Sequence, residues 1–232
     1  MAIAQHHQLA AVDFACRSTV CEKAALIATA AHSAANALLQ AYELVRTQRG
    51  RPRGMTTDKE QDLLRSMLVM AASGVDATVK QLVQDALPSL IETDEKAQNS
   101  FEKFVLRQMT ADVVGNALNA QLLAKVLVSK SPRQRLIQEY VNYLTGGSLQ
   151  STDSLFLVAA ALGADPPAIG LVPGELRPVF NIRNKIIHEL DINLDARRRR
   201  RNFRSQETMI RDTERLFRFI HALVQSVDGR CA

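Results

Sequence analysis

Residues 57–87 read TDKEQDLLRSMLVMAASGVDATVKQLVQDAL and are followed by Pro88. Apolar side chains recur every three to four residues in this stretch, which is the spacing of one face of an α-helix. Pro88 lacks a backbone N–H and predicts the end of this helix at Leu87. The same periodicity dominates the chain and no alternating strand pattern occurs, so the predicted fold class is all-α. The apolar stripe of the helix consists of Leu63, Leu64, Met67, Leu68, Val75, Val79, Leu82 and Val83.

The remaining sequence predicts one helical bundle over residues 51–232, with residues 1–50 as an accessory N-terminal helix that begins near His6. Residues 49–54, RGRPRG, predict a turn or short linker. Gly163 is expected just past the end of a helix, followed by a Pro- and Gly-rich loop over 164–175. Further helices are predicted over about 95–109, 110–128, 132–144, 152–162, 176–191 and 205–229.

Composition excludes several classes of protein. Hydrophobic residues make up 47% of the 232 residues, but no window reaches the ~18 uninterrupted apolar residues of a membrane helix. Polar residues 6–8 interrupt any secretory pattern at the N-terminus, so a cytoplasmic protein is expected. The three cysteines show no metal-ligand spacing. The sequence also contains no Gly-rich phosphate loop, no metal-binding His pair and no nucleophile elbow, which argues against an NTPase, a zinc enzyme or a hydrolase with a protein nucleophile.

Positive charge is concentrated at the C-terminal end. The chain carries a net charge of +5, and residues 191–232 hold ten arginines against six acidic residues. A phosphate-bearing partner is therefore expected at this end of the molecule. The candidates for RNA contact are Arg197, Arg198, Arg199, Arg200, Arg201 and Arg204. The alternative is a solvated basic loop. Phe203 is the only aromatic residue among these arginines, which gives little support for sequence-specific readout of single strands.

The stretch from Phe180 to Asp191 reads FNIRNKIIHELD and places a guanidinium, a carboxamide and an imidazole within six residues. On a helix, Val179, Ile182, Ile186 and Leu190 form an apolar stripe, and Asn181, Asn184 and His188 form a polar stripe. Asn184 and His188 are one turn apart, so the amide can orient the imidazole. Arg183 lies about 140° around the helix from His188, so this spacing gives no convergence of the two groups on one phosphate within a single helix. A two-fold-related copy would bring both pairs into one cleft, so the spacing predicts a homodimer with the active site at its interface if the motif is catalytic. Spacing alone favours a solvated face.

The residues Arg183-Asn184-Lys185-Ile186-Ile187-His188 match the Arg-Asn-x-x-x-His signature of the HEPN superfamily. The similarity extends to the helix over 62–77 and to the His188-Glu189-Leu190-Asp191 segment with its Arg-rich connector and final helix. Over residues 58–225 the chain resembles the RiboL-PSP-type branch of this superfamily of all-helical domains. The unbroken run Arg197–Arg201 departs from the more dispersed basic residues of that branch.

The resemblance implies a metal-independent endoribonuclease without a cofactor. His188 would transfer a proton to or from the reacting oxygens, Arg183 would bind the scissile phosphate, and Asn184 would orient His188 or the phosphate. The RNA 2′-OH would be the nucleophile, giving a 2′,3′-cyclic phosphate and a 5′-OH, and DNA would not be cleaved. The resemblance also implies a role as a toxin or antiviral defence effector, with an antitoxin or regulatory protein as a possible partner.

Two other functions stay open on the sequence. The chain is alternatively a non-catalytic HEPN-like module that binds RNA or protein through the same helix, or a structural helical adaptor. Asp76 is a polar residue within the apolar helix over 57–87, where it either lines the cleft or makes a structural hydrogen bond.

Overall fold

The computed structural model describes residues 7–50, 55–110, 124–194 and 200–232, and within these ranges the chain is all-helical, as predicted. A 3-10 turn, Thr19–Cys21, precedes the first helix, and residues 124–127 are also helical. The described residues contain no β-strand beyond one isolated bridge between Ile192 and Arg201. Seven α-helices are defined: α1 (Glu22–Gln48), α2 (Asp58–Thr93), α3 (Glu95–Thr110), α4 (Pro132–Thr145), α5 (Thr152–Ala161), α6 (Pro173–Glu189) and α7 (Gln206–Cys231).

Helix α2 lies at the centre of the bundle and packs against the other six helices. Its start is fixed by a capping box, in which Thr57 accepts from the Glu60 N–H and the Glu60 carboxylate accepts from the Thr57 N–H. The predicted apolar stripe is confirmed, because all of its residues are fully buried except the partly buried Leu63.

The predicted stop at Pro88 is wrong, because α2 continues to Thr93. Proline at this position removes the hydrogen bond to the carbonyl of Gln84, which would normally weaken the helix. Leu87, Leu90 and Ile91 are buried on both sides of the proline, and their burial holds the chain helical.

The N-terminal helix begins at Glu22, not near His6. The Asp228 carboxylate on α7 accepts hydrogen bonds from the backbone N–H groups of Arg17 (3.0 Å) and Ser18 (2.7 Å). Because these N–H groups are bound to Asp228, they do not donate to carbonyls of a helix. Residues 7–18 form an irregular segment along the bundle, which we call the N-terminal strap. Helix α1 contributes an alanine-rich face to the same core as α2 and α7. Gly74 of α2 permits this close packing, because a Cβ there would lie 2.5 Å from the Cβ of Ala31.

The later helix boundaries agree well with the sequence predictions. Helices α3, α4, α5 and α7 occupy the predicted positions, and Gly163 adopts the expected left-handed conformation after α5 with φ of +68°. The segment predicted as a helix over 110–128 lies mostly outside the described residues, as do residues 51–54 of the predicted linker. No helix in the described ranges is long and apolar enough to cross a membrane.

Helix α6, which carries the motif, begins at Pro173 and ends at Glu189, so its start lies three residues before the predicted one. Leu190 and Asp191 follow in left-handed backbone conformations, with φ of 50° and 60°. Leu190 was predicted to complete the apolar stripe of α6, but its side chain is 64% exposed. The reason is that the reversal at these two residues turns the carboxylate of Asp191 inward and the side chain of Leu190 outward.

Candidate functional site

The solvent-facing side of α6 carries the polar motif residues. Asn181, Asn184 and His188 are exposed, as the helical spacing predicts. On the opposite side Val179 is buried, and Ile182 and Ile186 pack partly buried against the core. The apolar side of the helix therefore fixes which residues face solvent.

Arg183 lies at the border between these two sides and is half-buried. Its Nη1 donates to the Oδ1 of Asn184 at 3.0 Å, whereas its Nε is buried without a hydrogen-bond partner. Burial lowers the pKa of this guanidinium, and the nearby carboxylate of Asp76 on α2 acts in the opposite direction. Because the Nε is closed off from solvent, an incoming anion would be bound by the terminal Nη groups of this half-buried guanidinium.

The carboxylate of Asp76 has structural partners as well. It accepts from the backbone N–H of Leu149 at 2.6 Å and pairs with Lys80 at 2.9 Å. The structural hydrogen bond considered for Asp76 is therefore present, and its charge also acts on Arg183.

His188 occupies the last turn of α6. Its imidazole is exposed and has no hydrogen-bond or ion-pair partner within the described part of the chain. The expected contact between Asn184 and His188 is absent there, and the Asn184 oxygen accepts from Arg183. The structure thus brings Arg183 and Asn184 together and leaves His188 one turn further along the helix, free to meet a ligand.

The end of α6 is held in place by a buried ion cluster that the sequence did not reveal. The Asp191 carboxylate is 0% exposed and accepts from the Nε of Arg65 at 3.0 Å and from the Nε of Arg204 at 2.9 Å. Asn202 adds a third bond, from its Nδ2, at 3.0 Å. Burial alone would raise the pKa of Asp191, but the bonds from Arg204, Arg65 and Asn202 outweigh burial and lower it. The cluster joins α2, the end of α6 and the start of α7.

The connector between α6 and α7 folds back on itself as an antiparallel pair. Asn193 donates to the carbonyl of Arg200 at 3.0 Å, and Asn202 donates to the carbonyl of Asp191 at 2.8 Å, on either side of the Ile192–Arg201 bridge. We call residues 190–194 and 200–204 the connector arm. The arm lies beside the end of α6, where Arg201 donates to the carbonyl of Leu190.

The predicted RNA-binding arginines occupy different environments. Arg197, Arg198 and Arg199 lie outside the described residues. Arg200 is exposed. Arg201 pairs with Asp62 at 2.6 Å and donates to the carbonyl of Leu190. The guanidinium of Arg204 is bound to Asp191 and only 16% exposed, which makes Arg204 a structural residue of the cluster.

Four large apolar side chains are exposed around this end of α6: Ile187, Leu190, Leu194 and Phe203. Single exposed apolar residues are common, but four beside one polar motif are typical of a surface that contacts another molecule.

Comparisons with protein-family models, with curated proteins and with solved structures find no match to this chain. In the described ranges, no group of three or more His, Cys, Asp or Glu side chains is arranged to hold a metal ion.

Proposed function

We propose that this chain is a HEPN-type, metal-independent endoribonuclease that acts as a homodimer. The observation that carries the proposal is the arrangement on α6, where the guanidinium of Arg183 is positioned by Asn184 and the imidazole of His188 is exposed and unpartnered. The pair offers phosphate binding and proton transfer, which are the two functions that cleavage of RNA requires from a protein.

In the proposed reaction the 2′-oxygen of the RNA forms a bond to the adjacent phosphorus, and the bond from phosphorus to the 5′-oxygen breaks. One imidazole accepts the proton of the 2′-OH, and the leaving 5′-oxygen receives a proton from a second acid. The unused donors of Arg183 stabilise the negative charge that develops on the phosphoryl oxygens. The products are a 2′,3′-cyclic phosphate and a 5′-OH.

The geometry of α6 supports two copies in each site. Arg183 and His188 are separated by about 7.5 Å along the helix axis and by about 140° around it. A second α6 related by a two-fold axis supplies a second imidazole, so that one His188 acts as base and the other as acid. The exposed apolar side chains of Ile187 and Leu190 lie beside the motif, where they favour contact with that second copy.

The experiment is cleavage of a mixed RNA pool in EDTA by the purified chain. We expect wild type to cleave and His188→Ala and Arg183→Ala to lose at least 100-fold in rate. Arg177→Ala is the matched control, because it removes the same charge from an exposed position on the same helix and should cleave like wild type. Cleavage by His188→Ala at the wild-type rate would overturn the proposal.

The exposed apolar residues also favour a second function, a non-catalytic module that binds a protein partner through the same end of α6. A chain that cleaves no RNA in EDTA but loses a partner complex on Leu190→Ser would support this second candidate. The proposed biological setting, a toxin or antiviral effector controlled by an antitoxin, is tested by cell growth on expression of wild type against His188→Ala.

A further inference from the structure

The connector arm displays one aromatic ring to solvent. The Phe203 side chain is 63% exposed. A phenylalanine on a flexible loop would ordinarily turn this area toward the protein, because exposure of a large apolar surface is unfavourable.

The backbone on both sides of Phe203 is fixed by hydrogen bonds. Asn202 donates its N–H to Asp191, and its carbonyl accepts from the Nη2 of Arg65 at 2.7 Å. On the other side, the Gln61 side chain accepts from the N–H of Arg204 at 2.8 Å and donates to its carbonyl at 2.7 Å. Phe203 therefore sits between two residues whose backbone polar groups are all bound to α2 or to Asp191.

The arm also carries an exposed cation close to Phe203 in the sequence. Arg200 is exposed three residues before the phenylalanine, whereas the guanidinium of Arg201, 30% exposed, is paired with Asp62. A fixed aromatic ring beside cations is the combination by which proteins hold single-stranded nucleic acid, because the ring stacks on a base and the cations contact the backbone.

We infer that Phe203 is a stacking platform for one unpaired base, and that the substrate of this chain is single-stranded or looped RNA. The inference rests on the proposed function for its placement of RNA at the end of α6. A base inside a duplex is already stacked on both faces, so only an unpaired base gains from the ring. Every base has a face that can stack on the ring, so Phe203 distinguishes unpaired from paired RNA without reading its sequence.

The test is binding of a single-stranded RNA oligonucleotide that carries 2-aminopurine, whose fluorescence falls on stacking. All variants carry His188→Ala, so that binding is measured without cleavage. We expect Phe203→Ala to abolish the quenching and to weaken binding by about fivefold or more. Phe203→Tyr should bind like the parent, and binding of the matched duplex should not change.

Phe203→Leu separates stacking from simple apolar contact, because it keeps most of the apolar area and removes the aromatic face. Binding by Phe203→Leu at the parent's affinity, or binding by Phe203→Ala within twofold of the parent, would overturn the inference. Sedimentation of each variant measures whether the ring contacts a second copy of the chain. A dimer that dissociates on Phe203→Ala would show that it does and would overturn the inference. Unchanged melting temperatures establish that the exposed substitutions leave the fold intact.

The two proposals fail in different ways. Cleavage in EDTA by the chain with His188 intact, combined with binding that does not depend on Phe203, contradicts stacking alone. Ring-dependent quenching in a chain that never cleaves RNA contradicts the ribonuclease and leaves the stacking platform in place.

Discussion

Replacing Asp191 by Asn is the most informative perturbation of the frame that holds α6. Asp191→Asn keeps the size of the side chain and removes its charge at the centre of the buried cluster. Arg65, whose side chain is 3% exposed, and Arg204 would then face a neutral amide that donates as well as accepts hydrogen bonds.

The expected loss of stability follows from this burial. Breaking a buried ion pair by neutralising one partner typically costs about 3–5 kcal/mol, because the remaining charge is left without compensation. Arg65 keeps its bond to the carbonyl of Asn202 and its pair with Asp62, so we expect the lower end, about 3 kcal/mol. For a domain of this size, that loss corresponds to a melting temperature about 6–12 °C lower.

The assay is urea unfolding at pH 7, with Asp62→Asn as the matched control. Asp62 belongs to the same network and loses the same charge, but its side chain is 49% exposed. Because the Asp62 carboxylate is half exposed and Arg65 keeps its pair with Asp191, the control should lose about 1 kcal/mol or less. Equal and small losses in both variants would refute the argument that burial gives the Asp191 cluster its strength.

Wild type and Asp191→Asn also allow a test of the pH dependence of stability. The pKa of Asp191 is lower in the folded chain than in the unfolded one, so its contribution to stability is present above the unfolded pKa of about 4. The contribution is lost as pH falls below that value. The difference in unfolding free energy between wild type and Asp191→Asn should therefore shrink on acidification from pH 6 to pH 3. A constant difference over this range would contradict the assignment.

Three further predictions concern packing, thiol reactivity and the N-terminal strap. Gly74→Val should destabilise the chain by about 1–3 kcal/mol, because its side chain meets Ala31, and Ala31→Gly should recover part of the loss in a double-mutant unfolding experiment. The thiol of Cys21 is buried, which raises its pKa to about 12, so it should resist iodoacetamide at pH 8 in the native chain and react only after unfolding, as read by mass spectrometry. Asp228→Asn should weaken the hydrogen bond from the Ser18 N–H to residue 228. Hydrogen–deuterium exchange should then become faster in residues 7–18, while the centre of α2 stays protected.

Helical periodicity was sufficient to predict the fold class and most helices, because each helix buries an apolar face that repeats locally in the sequence. The boundaries that failed depend on contacts between distant residues. The start of α1 is set by Asp228, more than 200 residues further along the chain. The end of α6 is set by the bond between Asp191 and Arg65, across 126 residues. Neither contact has a signal in the local sequence pattern.

The exposed positions of the candidate site could be predicted from the sequence, but the contacts between its side chains could not. Spacing correctly placed Asn184 and His188 on the solvent side of α6. It did not predict that the Asn184 oxygen would accept from Arg183, because helical spacing of three or four residues does not indicate a contact between adjacent side chains. Arg65 and Gln61, polar residues within the α2 stretch, indicate that buried partners exist but do not identify Asp191 as one of them. A charged residue at a position that must be buried requires a partner.

The proposed cleavage of RNA at the polar face of α6, by attack of the 2′-OH, is tested most directly by its products. The most direct measurement is the mass of the fragments released in EDTA from a synthetic RNA, compared with the same RNA carrying a single 2′-deoxy nucleotide at the mapped cut. We expect a 2′,3′-cyclic phosphate and a 5′-OH at the cut, no cleavage at the deoxy position, and no fragments with His188→Ala. Fragments that carry a 5′-phosphate, or cleavage at the deoxy position, would contradict it.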